Sequence, residues 1–234
     1  MPSATQIPLD LRLNPQATFE DFVTGPNAEA VDWLRRLAGG AGAPVTYLWG
    51  PATSGRSHLL QATCRAAHQA GFRPAYLPLG GPDLDPVVML DGVAQADVAC
   101  LDDIGALAGH DAAERAAFAL CNRLRDAGAR LVVAAGVPPS GLPVALPDLR
   151  SRLGWGPVFQ LRGLDDETKL RVLVRRARQL GFELTDEAAR YLLSRHARGL
   201  GELLALLHGI DRAALAAQRR VTVPFLRDYL RRAC

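Results

Sequence analysis

Between Val45 and Leu161, short apolar runs alternate with segments that repeat apolar residues every three or four positions. The runs are VTYLW, PAYLPL, DVACLDD, RLVVAAG and PVFQL, and helical segments such as SHLLQATCRAAHQA and DAAERAAFALCNRLRDAG lie between them. Strands buried on both faces have continuous apolar runs, and helical connections make such strands parallel. The pattern therefore predicts an α/β fold, a five-stranded parallel sheet with helices on both faces.

Helical patterns also precede and follow this region. NAEAVDWLRRLA places Ala30, Val31, Leu34 and Leu37 on one face, with Asn27 as a candidate cap. From residue 165 the strand signals stop, and four helical patterns follow: DDETKLRVLVRRARQL, TDEAARYLLSRHA, LGELLALLHGIDRAALAAQ and TVPFLRDYLRRA. We expect an extended tail over residues 1–17, an α/β domain over residues 18–163 and an all-helical domain over residues 164–234.

Composition narrows the class of protein. Of the 234 residues 49% are hydrophobic, which is enough for a large core. The chain has no run of about 18 apolar residues and no signal-peptide pattern, so we expect a cytoplasmic protein without a membrane partner. Its cysteines and histidines lack metal-ligand spacing, and Cys64, Cys100 and Cys121 are expected to be buried. The net charge is +3, and the scattered arginine doublets favour solvated helix faces over a nucleic-acid footprint.

The segment GPATSGRS has the spacing of a phosphate-binding loop, with Gly50, Gly55 and Ser57 in place. A predicted strand precedes it and a predicted helix follows it, which is the setting in which backbone amides and a helix N-terminus hold phosphates. The Ser57 hydroxyl is the predicted ligand of Mg²⁺. Ser54 and His58, in and after the loop, complete this part of the predicted nucleotide site.

Arg56 stands where this motif has lysine. Lysine is a compact charge that can bridge terminal phosphates, whereas arginine is planar and longer. We therefore expect nucleotide binding to persist and efficient hydrolysis of a γ-phosphate to be weakened.

Two further groups of residues suggest phosphate chemistry. The apolar run DVACLDDI ends in Asp102 and Asp103, which at a strand end could orient Mg²⁺ and an attacking water. Arg152 precedes the last run, and Arg198 precedes a helix of the helical domain. Either could be an ordinary surface arginine, but their placement suggests a phosphate sensor and an arginine finger directed at a neighbour.

These motifs together resemble the DnaA branch of the AAA+ ATPases, and within that branch the Hda group. TFEDFVTGPNAEAV is similar to the segment that wraps the adenine, LPDLRSRLGWG to the arginine-bearing box and ARGLGELL to the second sensor. The resemblance implies an AAA+ P-loop core followed by a small all-α lid. It implies that Val23, Asn27 and Arg198 contact the nucleotide and that Arg152 is a finger acting in trans.

The tail sequence QIPLDL is similar to the clamp-binding motif of Hda-like proteins, with Gln6, Ile7, Leu9 and Leu11 as its anchors. Ile7 and Asp10 depart from the commonest pattern, and random tails often match so short a motif. Independently of the resemblance, a glutamine and apolar anchors on an extended peptide can fill a preformed hydrophobic pocket of a partner protein. The resemblance implies binding to the DNA polymerase III sliding clamp (its beta subunit), and thus an indirect association with DNA and the nucleoid.

The resemblance also implies a function: an ADP-bound (or ATP-bound) protein with Mg²⁺ that stimulates ATP hydrolysis by DnaA and so represses replication initiation. Little intrinsic ATPase activity is expected, because the run LVVAAGVPP lacks the polar residues usual at the first sensor. A homo-oligomer is possible. The chain lacks the outer domains of a DnaA initiator, so we expect it not to be a complete initiator.

Two alternatives stay open. The phosphate loop and Asp102 with Asp103 also permit a self-sufficient AAA+ ATPase of helicase-loader type that acts on single-stranded DNA. Arg56, the apolar first sensor and the clamp-like tail argue against it. A nucleotide-binding scaffold that has lost regulatory activity is the other alternative.

Overall fold

A computed structural model of the protein describes residue 14 and residues 17–81, 85–195 and 199–233. Its sheet has the strand order β2-β3-β4-β1-β5. The strands are β1 Val45–Trp49, β2 Pro74–Pro78, β3 Val98–Asp102, β4 Arg130–Ala135 and β5 Val158–Gln160. The pairs β1·β4, β2·β3 and β3·β4 are parallel, so the predicted α/β class and the five strand positions are confirmed.

The position of each strand in the sheet follows from its sequence. All residues of β3 are buried, as are nearly all of β1 and β4, and these three strands occupy the centre. β2 and β5 are the edges. Proline cannot donate to a strand ladder, and β2 carries one at each end, Pro74 and Pro78, where an edge strand tolerates it.

The helices are α1 Ala28–Ala38, α2 Arg56–Gln69, α3 Pro86–Gly92, α4 Asp111–Asp126, α5 Pro147–Leu153, α6 Asp166–Leu180, α7 Asp186–Arg195, α8 Leu200–Ala217 and α9 Val223–Ala233. Short 3-10 helices span Gly25–Asn27, Ile104–Leu107 and Pro139–Gly141. The apolar periodicity did not predict α3 and α5, since each has only seven residues. Each begins with proline, which is preorganised for the first turn of a helix.

The chain divides into two compact units. One comprises the described residues up to Phe22, together with Glu29–Trp49 and Ser57–Phe159; the other comprises Val23–Ala28, Gly50–Arg56 and the described residues from Gln160. The loop at Gly50–Arg56 thus groups with the helical unit. The predicted boundary at residues 163 and 164 stays a prediction.

Each unit has its own core. In the first, side chains such as Tyr47, Leu101 and Val133 pack with apolar residues of α3, α4 and α5. The predicted burial of Cys64, Cys100 and Cys121 is confirmed. Burial raises the pKa of Cys121 to about 12, so its thiol stays protonated at neutral pH.

Capping residues define the ends of helices in the helical unit. α6 begins after Asp165, whose carboxylate accepts the N–H of Thr168 at 2.6 Å, and ends at Gly181, which has a φ of 95°. Thr185 Oγ1 accepts the N–H of Ala188 at 3.2 Å and so caps α7. Leu173, Leu192, Leu207 and Leu226 from the four helices meet in one core. Across the described part of the chain, no helix is long and apolar enough to cross a bilayer.

Candidate nucleotide-binding site

The phosphate-type loop joins β1 to α2, and the backbone at both of its motif positions requires glycine for steric reasons. An added Cβ at Gly50 would clash with the carbonyl oxygen of Leu161. Gly55 has a φ of 89°, a left-handed conformation that side chains disfavour. Between them, Ser54 N–H donates to the carbonyl of Pro51 at 3.0 Å. The loop conformation therefore requires the glycines that the motif supplies.

Two polar side chains of this loop each have a buried atom that finds no hydrogen-bond partner among the described residues. Ser54 is 4% exposed, and both its Oγ and Arg56 Nη1 are buried with no hydrogen-bond partner within the described residues. Buried polar atoms are normally satisfied, so such groups need an explanation. Arg56 is also the first residue of α2, where a cation faces the positive end of the helix dipole. A bound phosphate would satisfy both groups, so the loop fits a nucleotide.

Other residues of the same unit lie beside the loop. A Cβ added at Gly199, the residue before α8, would lie 3.6 Å from Cα of Thr53, and one at Gly163 would lie 3.9 Å from Thr53 Oγ1. The start of α8 therefore lies against the loop. Arg198, the predicted second sensor, is outside the described residues.

The segment before α1 is fixed by a double hydrogen bond. Asn27 Nδ2 donates to the carbonyl of Arg162 at 3.0 Å, and Asn27 Oδ1 accepts the N–H of Arg162 at 2.9 Å. Asn27 is buried, and its carboxamide binds the backbone of Arg162 instead of capping α1 as the sequence suggested. Val23 lies half-buried in the same segment. The contacts of both residues with a nucleotide stay predictions.

In the other unit, Asp102 ends β3 and is 8% exposed. The hydroxyl of Tyr76, on β2, donates to Asp102 Oδ2 at 2.8 Å. The side chains of Gln61 and Ser57 also act on the phenol, and each lowers its pKa. Burial, and then the charge of Asp102, raise the pKa of Tyr76, so it is a neutral donor at physiological pH.

Tyr76 therefore lies close to both predicted magnesium ligands, donating to Asp102 and interacting electrostatically with Ser57. Their hydroxyl and carboxylate oxygens are the donors that Mg²⁺ prefers. Within the described ranges, no group of three or more His, Cys, Asp or Glu side chains could hold a metal ion. The two oxygens therefore fit a magnesium ion that is carried mainly by nucleotide phosphates. Sequence reasoning missed Tyr76, because an aromatic residue in an edge strand looks like an ordinary β former.

Asp103, the second predicted carboxylate, is exposed and has a left-handed backbone with φ 61° and ψ 56°. That conformation costs a non-glycine residue on the order of 1 kcal/mol. It turns the chain sharply after β3, and Asp103 Oδ2 lies 3.3 Å from the position of a Cβ added at Gly80. Strain of this kind is commonly retained where function requires it.

His58 lies in the first turn of α2. Its Nε2 lies 2.7 Å from the carbonyl oxygen of Thr18, and its ring lies 5.4 Å from that of Phe22. Burial lowers the pKa of His58 despite the opposing effects of the Thr18 carbonyl and Asp21, so the ring is neutral at pH 7. The ring therefore fastens the segment around Thr18 to α2, and its contact with nucleotide stays a prediction.

Arg152 lies in the last turn of α5 and is half-buried. Its guanidinium carbon lies 3.8 Å from the ring centroid of Trp155 and 5.4 Å from that of Phe118. Its Nη1 is buried without a hydrogen-bond partner in the described part of the chain. Trp155 itself is 60% exposed. The arginine is therefore held by ring stacking beside an exposed aromatic side chain.

A buried carboxylate anchors the segment that leads into α5. Glu114, on α4, is 1% exposed and accepts the N–H groups of Gly109, Ala145 and Leu146 at 3.1, 3.0 and 2.8 Å. Burial acts to raise the pKa of Glu114, but these three hydrogen bonds and the charge of Arg150 hold it below its ordinary value. Sequence reasoning missed Glu114, since it looks like a solvated helix residue.

Comparisons with known proteins agree with this architecture. A family model described as the lid domain of Hda matches residues 166–230. An uncharacterized protein of Haemophilus influenzae is 38% identical over 226 residues, which cover 96% of this chain and 98% of that protein.

Two solved structures show the same fold. Domain III of the replication initiation protein DnaA from Thermotoga maritima has a TM-score of 0.77 at 23% identity, over 92% of this chain and 98% of that chain. AMPPCP-bound DnaA from Aquifex aeolicus has a TM-score of 0.71 at 23% identity, over 86% of this chain and 66% of that chain. The predicted AAA+ core followed by an all-helical lid is confirmed. With the lid match and the near full-length relative, the chain belongs to the Hda family, and it has the AAA+ fold.

Proposed function

We propose that this protein is a negative regulator of replication initiation that binds the DNA-loaded sliding clamp and stimulates ATP hydrolysis by DnaA. The observation that carries the proposal is Arg152, stacked on the exposed Trp155 with an unsatisfied guanidinium nitrogen. A stacked guanidinium is ordered before it meets a partner, so little entropy is lost on docking. In the DnaA active site it would stabilise the charge that develops on the transferred phosphoryl group.

Its own nucleotide, ADP or ATP with Mg²⁺, would be a structural ligand. The orphaned Ser54 and Arg56 side chains support phosphate binding at the loop, and Ser57 and Asp102 would hold the metal with the nucleotide. Arg198 would contact the nucleotide from the lid, a role supported by the position of its neighbour Gly199 beside Thr53. When bound, the metal would offset the negative charge of the nucleotide phosphates. Arg56 would add a fixed positive charge beside the same phosphates.

Weak intrinsic hydrolysis follows from two features. Arg56 replaces the loop lysine, and β4 ends in Ala134 and Ala135, both 0% exposed and without a polar side chain for a γ-phosphate. We expect little ATP turnover by the purified protein and increased hydrolysis by ATP-bound DnaA when clamp and DNA are added. A phosphate-release assay on each mixture tests this. Robust turnover by the protein alone would favour the helicase-loader alternative.

The clamp-binding role is assigned to Gln6, Ile7, Leu9 and Leu11, all outside the described residues. Gln6→Ala with Leu9→Ala is expected to abolish clamp binding, because both a polar and an apolar anchor are lost. Surface plasmon resonance on immobilised clamp measures the loss, and nucleotide affinity should stay unchanged. Clamp binding by this variant at the original affinity would place the contact elsewhere.

Tyr76→Phe tests the assignment of the metal position. Asp102 Oδ2 already accepts the phenol hydroxyl, so a cation at Asp102 must share or displace that hydrogen bond. Hydrogen bonds to charged groups contribute about 1.5–3 kcal/mol, so we expect the nucleotide-free variant to be less stable and its affinity for ADP with Mg²⁺ to rise about tenfold. Titration calorimetry with and without Mg²⁺ measures the change. ADP affinity without the metal is the control, and an unchanged effect of Mg²⁺ would contradict a metal at Asp102.

A further inference from the structure

The helical unit carries a groove that the proposed function does not use. It lies along α6 at the start of α7 and has a volume of about 610 Å³. We define it as the arginine groove, lined by Arg171, Arg175, Arg178, Leu170, Val174 and Asp186. Leu170 is buried and Val174 half-buried, whereas the three arginines are exposed. The groove is therefore an apolar floor bordered by guanidinium groups.

Three arginines line the groove, and Asp186 is the one acidic residue among its lining residues. Arg171 lies 3.9 Å from Glu167 in an exposed pair, which is worth little, and it donates to Thr168 Oγ1 at 3.1 Å. Within the described residues, neither Arg175 nor Arg178 forms an ion pair. Like charges three and four residues apart on a helix repel one another. An anionic partner would remove that repulsion.

The charge of the chain is distributed unevenly, and its positive excess lies in the part that contains the arginine groove. Residues 166–234 contain fourteen arginine and lysine residues and eight acidic residues, whereas residues 1–165 contain thirteen and sixteen. The helical part is therefore basic at +6, while the remainder is acidic at −3. Clustered positive charge on one part of a protein is the electrostatic pattern of a nucleic-acid contact.

The geometry favours a phosphate backbone. From Arg171 to Arg178 the helix rises about 10 Å, and each strand of duplex DNA carries one phosphate for about every 3.4 Å of rise along the duplex axis. A helix lying parallel to that axis would therefore span the rise of about three phosphates of one strand. Arg176, on the same helix, does not line the groove; it is half-buried, and its Nη1 donates at 3.2 Å to Oε1 of Gln179, which also lines the groove. The two arginines of this doublet therefore differ in environment: Arg175 is exposed and lines the groove, whereas Arg176 is half-buried and does not.

We propose that the arginine groove binds the backbone of duplex DNA directly and without sequence preference. The contact goes beyond the proposed function, in which DNA is reached only through the clamp. Duplex is favoured over a single strand because the floor is aliphatic, whereas single-strand sites use aromatic side chains on which bases stack. Three arginines on one helix face meet phosphates without reading base edges.

The test measures binding of the full-length protein to a fluorescent duplex by anisotropy at several salt concentrations, with neither clamp nor DnaA present. The variant is Arg171→Ala with Arg175→Ala and Arg178→Ala. Three lost phosphate contacts should reduce the slope of log K against log salt by about 2.7 and weaken binding at least about tenfold near 100 mM salt. The matched control removes the same charge from exposed positions elsewhere in the unit: Arg212→Ala with Arg220→Ala and Arg227→Ala.

The proposal is supported if the groove variant is folded by circular dichroism and shows the reduced slope, while the control variant keeps the wild-type slope. Equal losses in both variants would mean that net charge alone attracts DNA, and no duplex binding by the wild type would overturn the contact. Tighter binding of the wild type to a single strand than to the duplex would overturn the choice of ligand. Because the assay contains neither clamp nor DnaA, its result is independent of the regulatory proposal.

Discussion

Arg152→Ala is expected to reduce the stimulation of DnaA ATP hydrolysis by about 10³ to 10⁵, the range that an arginine finger contributes in related nucleotide switches. The reason is the loss of a positive charge that is stacked and ordered before docking. Stability should change by only about 0.5–2 kcal/mol, the range of cation–π contacts from exposed to desolvated sites. Phosphate release in the presence of clamp, DNA and ATP-bound DnaA measures the effect.

Two further variants sharpen this test. Arg152→Lys keeps the charge but loses the planar stacking on Trp155, so stimulation should be intermediate. Arg115→Ala, which removes an exposed arginine of α4 that lies 3.7 Å from Asp111, should leave stimulation unchanged. Arg152→Ala should also keep wild-type clamp binding. If it stimulates DnaA normally, the finger is another residue; if it loses clamp binding as well, the two tasks are not separate.

Glu114→Gln is expected to lower the free energy of unfolding by about 3 kcal/mol. The buried carboxylate accepts three backbone N–H groups, and a neutral amide cannot satisfy all of them. Each buried donor left unsatisfied costs about 1–3 kcal/mol. Since Ala145 and Leu146 lead directly into α5, stimulation of DnaA should fall too, with clamp binding unchanged. Urea unfolding and phosphate release measure the two effects.

The same substitution has a pH signature. The pKa of Glu114 is lowered in the folded protein, so the carboxylate stabilises the fold above its unfolded pKa, and this contribution is lost as pH falls through the folded pKa. The difference in unfolding free energy between wild type and Glu114→Gln should have its full size at pH 7. It should shrink as the pH falls below 4.5, the ordinary pKa of a glutamate carboxyl. Asp111→Asn, at an exposed position of the same helix, should change stability by less than about 0.5 kcal/mol. A difference independent of pH would show that the charge of Glu114 is not what stabilises the segment.

The sequence predicted the elements well because their signals are local. Burial on both strand faces produced the continuous apolar runs of β1, β3 and β4, which the sequence shows directly. The short helices α3 and α5 escaped prediction because seven residues contain too few turns for a periodic pattern. The loop glycines were predicted from spacing, and the structure adds the clash that makes Gly50 necessary.

By itself, the sequence determined the α/β class, the strand positions, the phosphate loop with its unusual Arg56 and the resemblance to the DnaA branch. Only the tertiary structure decided which polar side chains meet. Tyr76 and Asp102 are 26 residues apart, Glu114 and Leu146 are 32 apart, and Asn27 and Arg162 are 135 apart. Such contacts have no local pattern, because a hydrogen bond between distant segments depends on how the elements pack. Apolar periodicity shows which face of an element is buried, but it does not show which polar atom of another segment contacts that face.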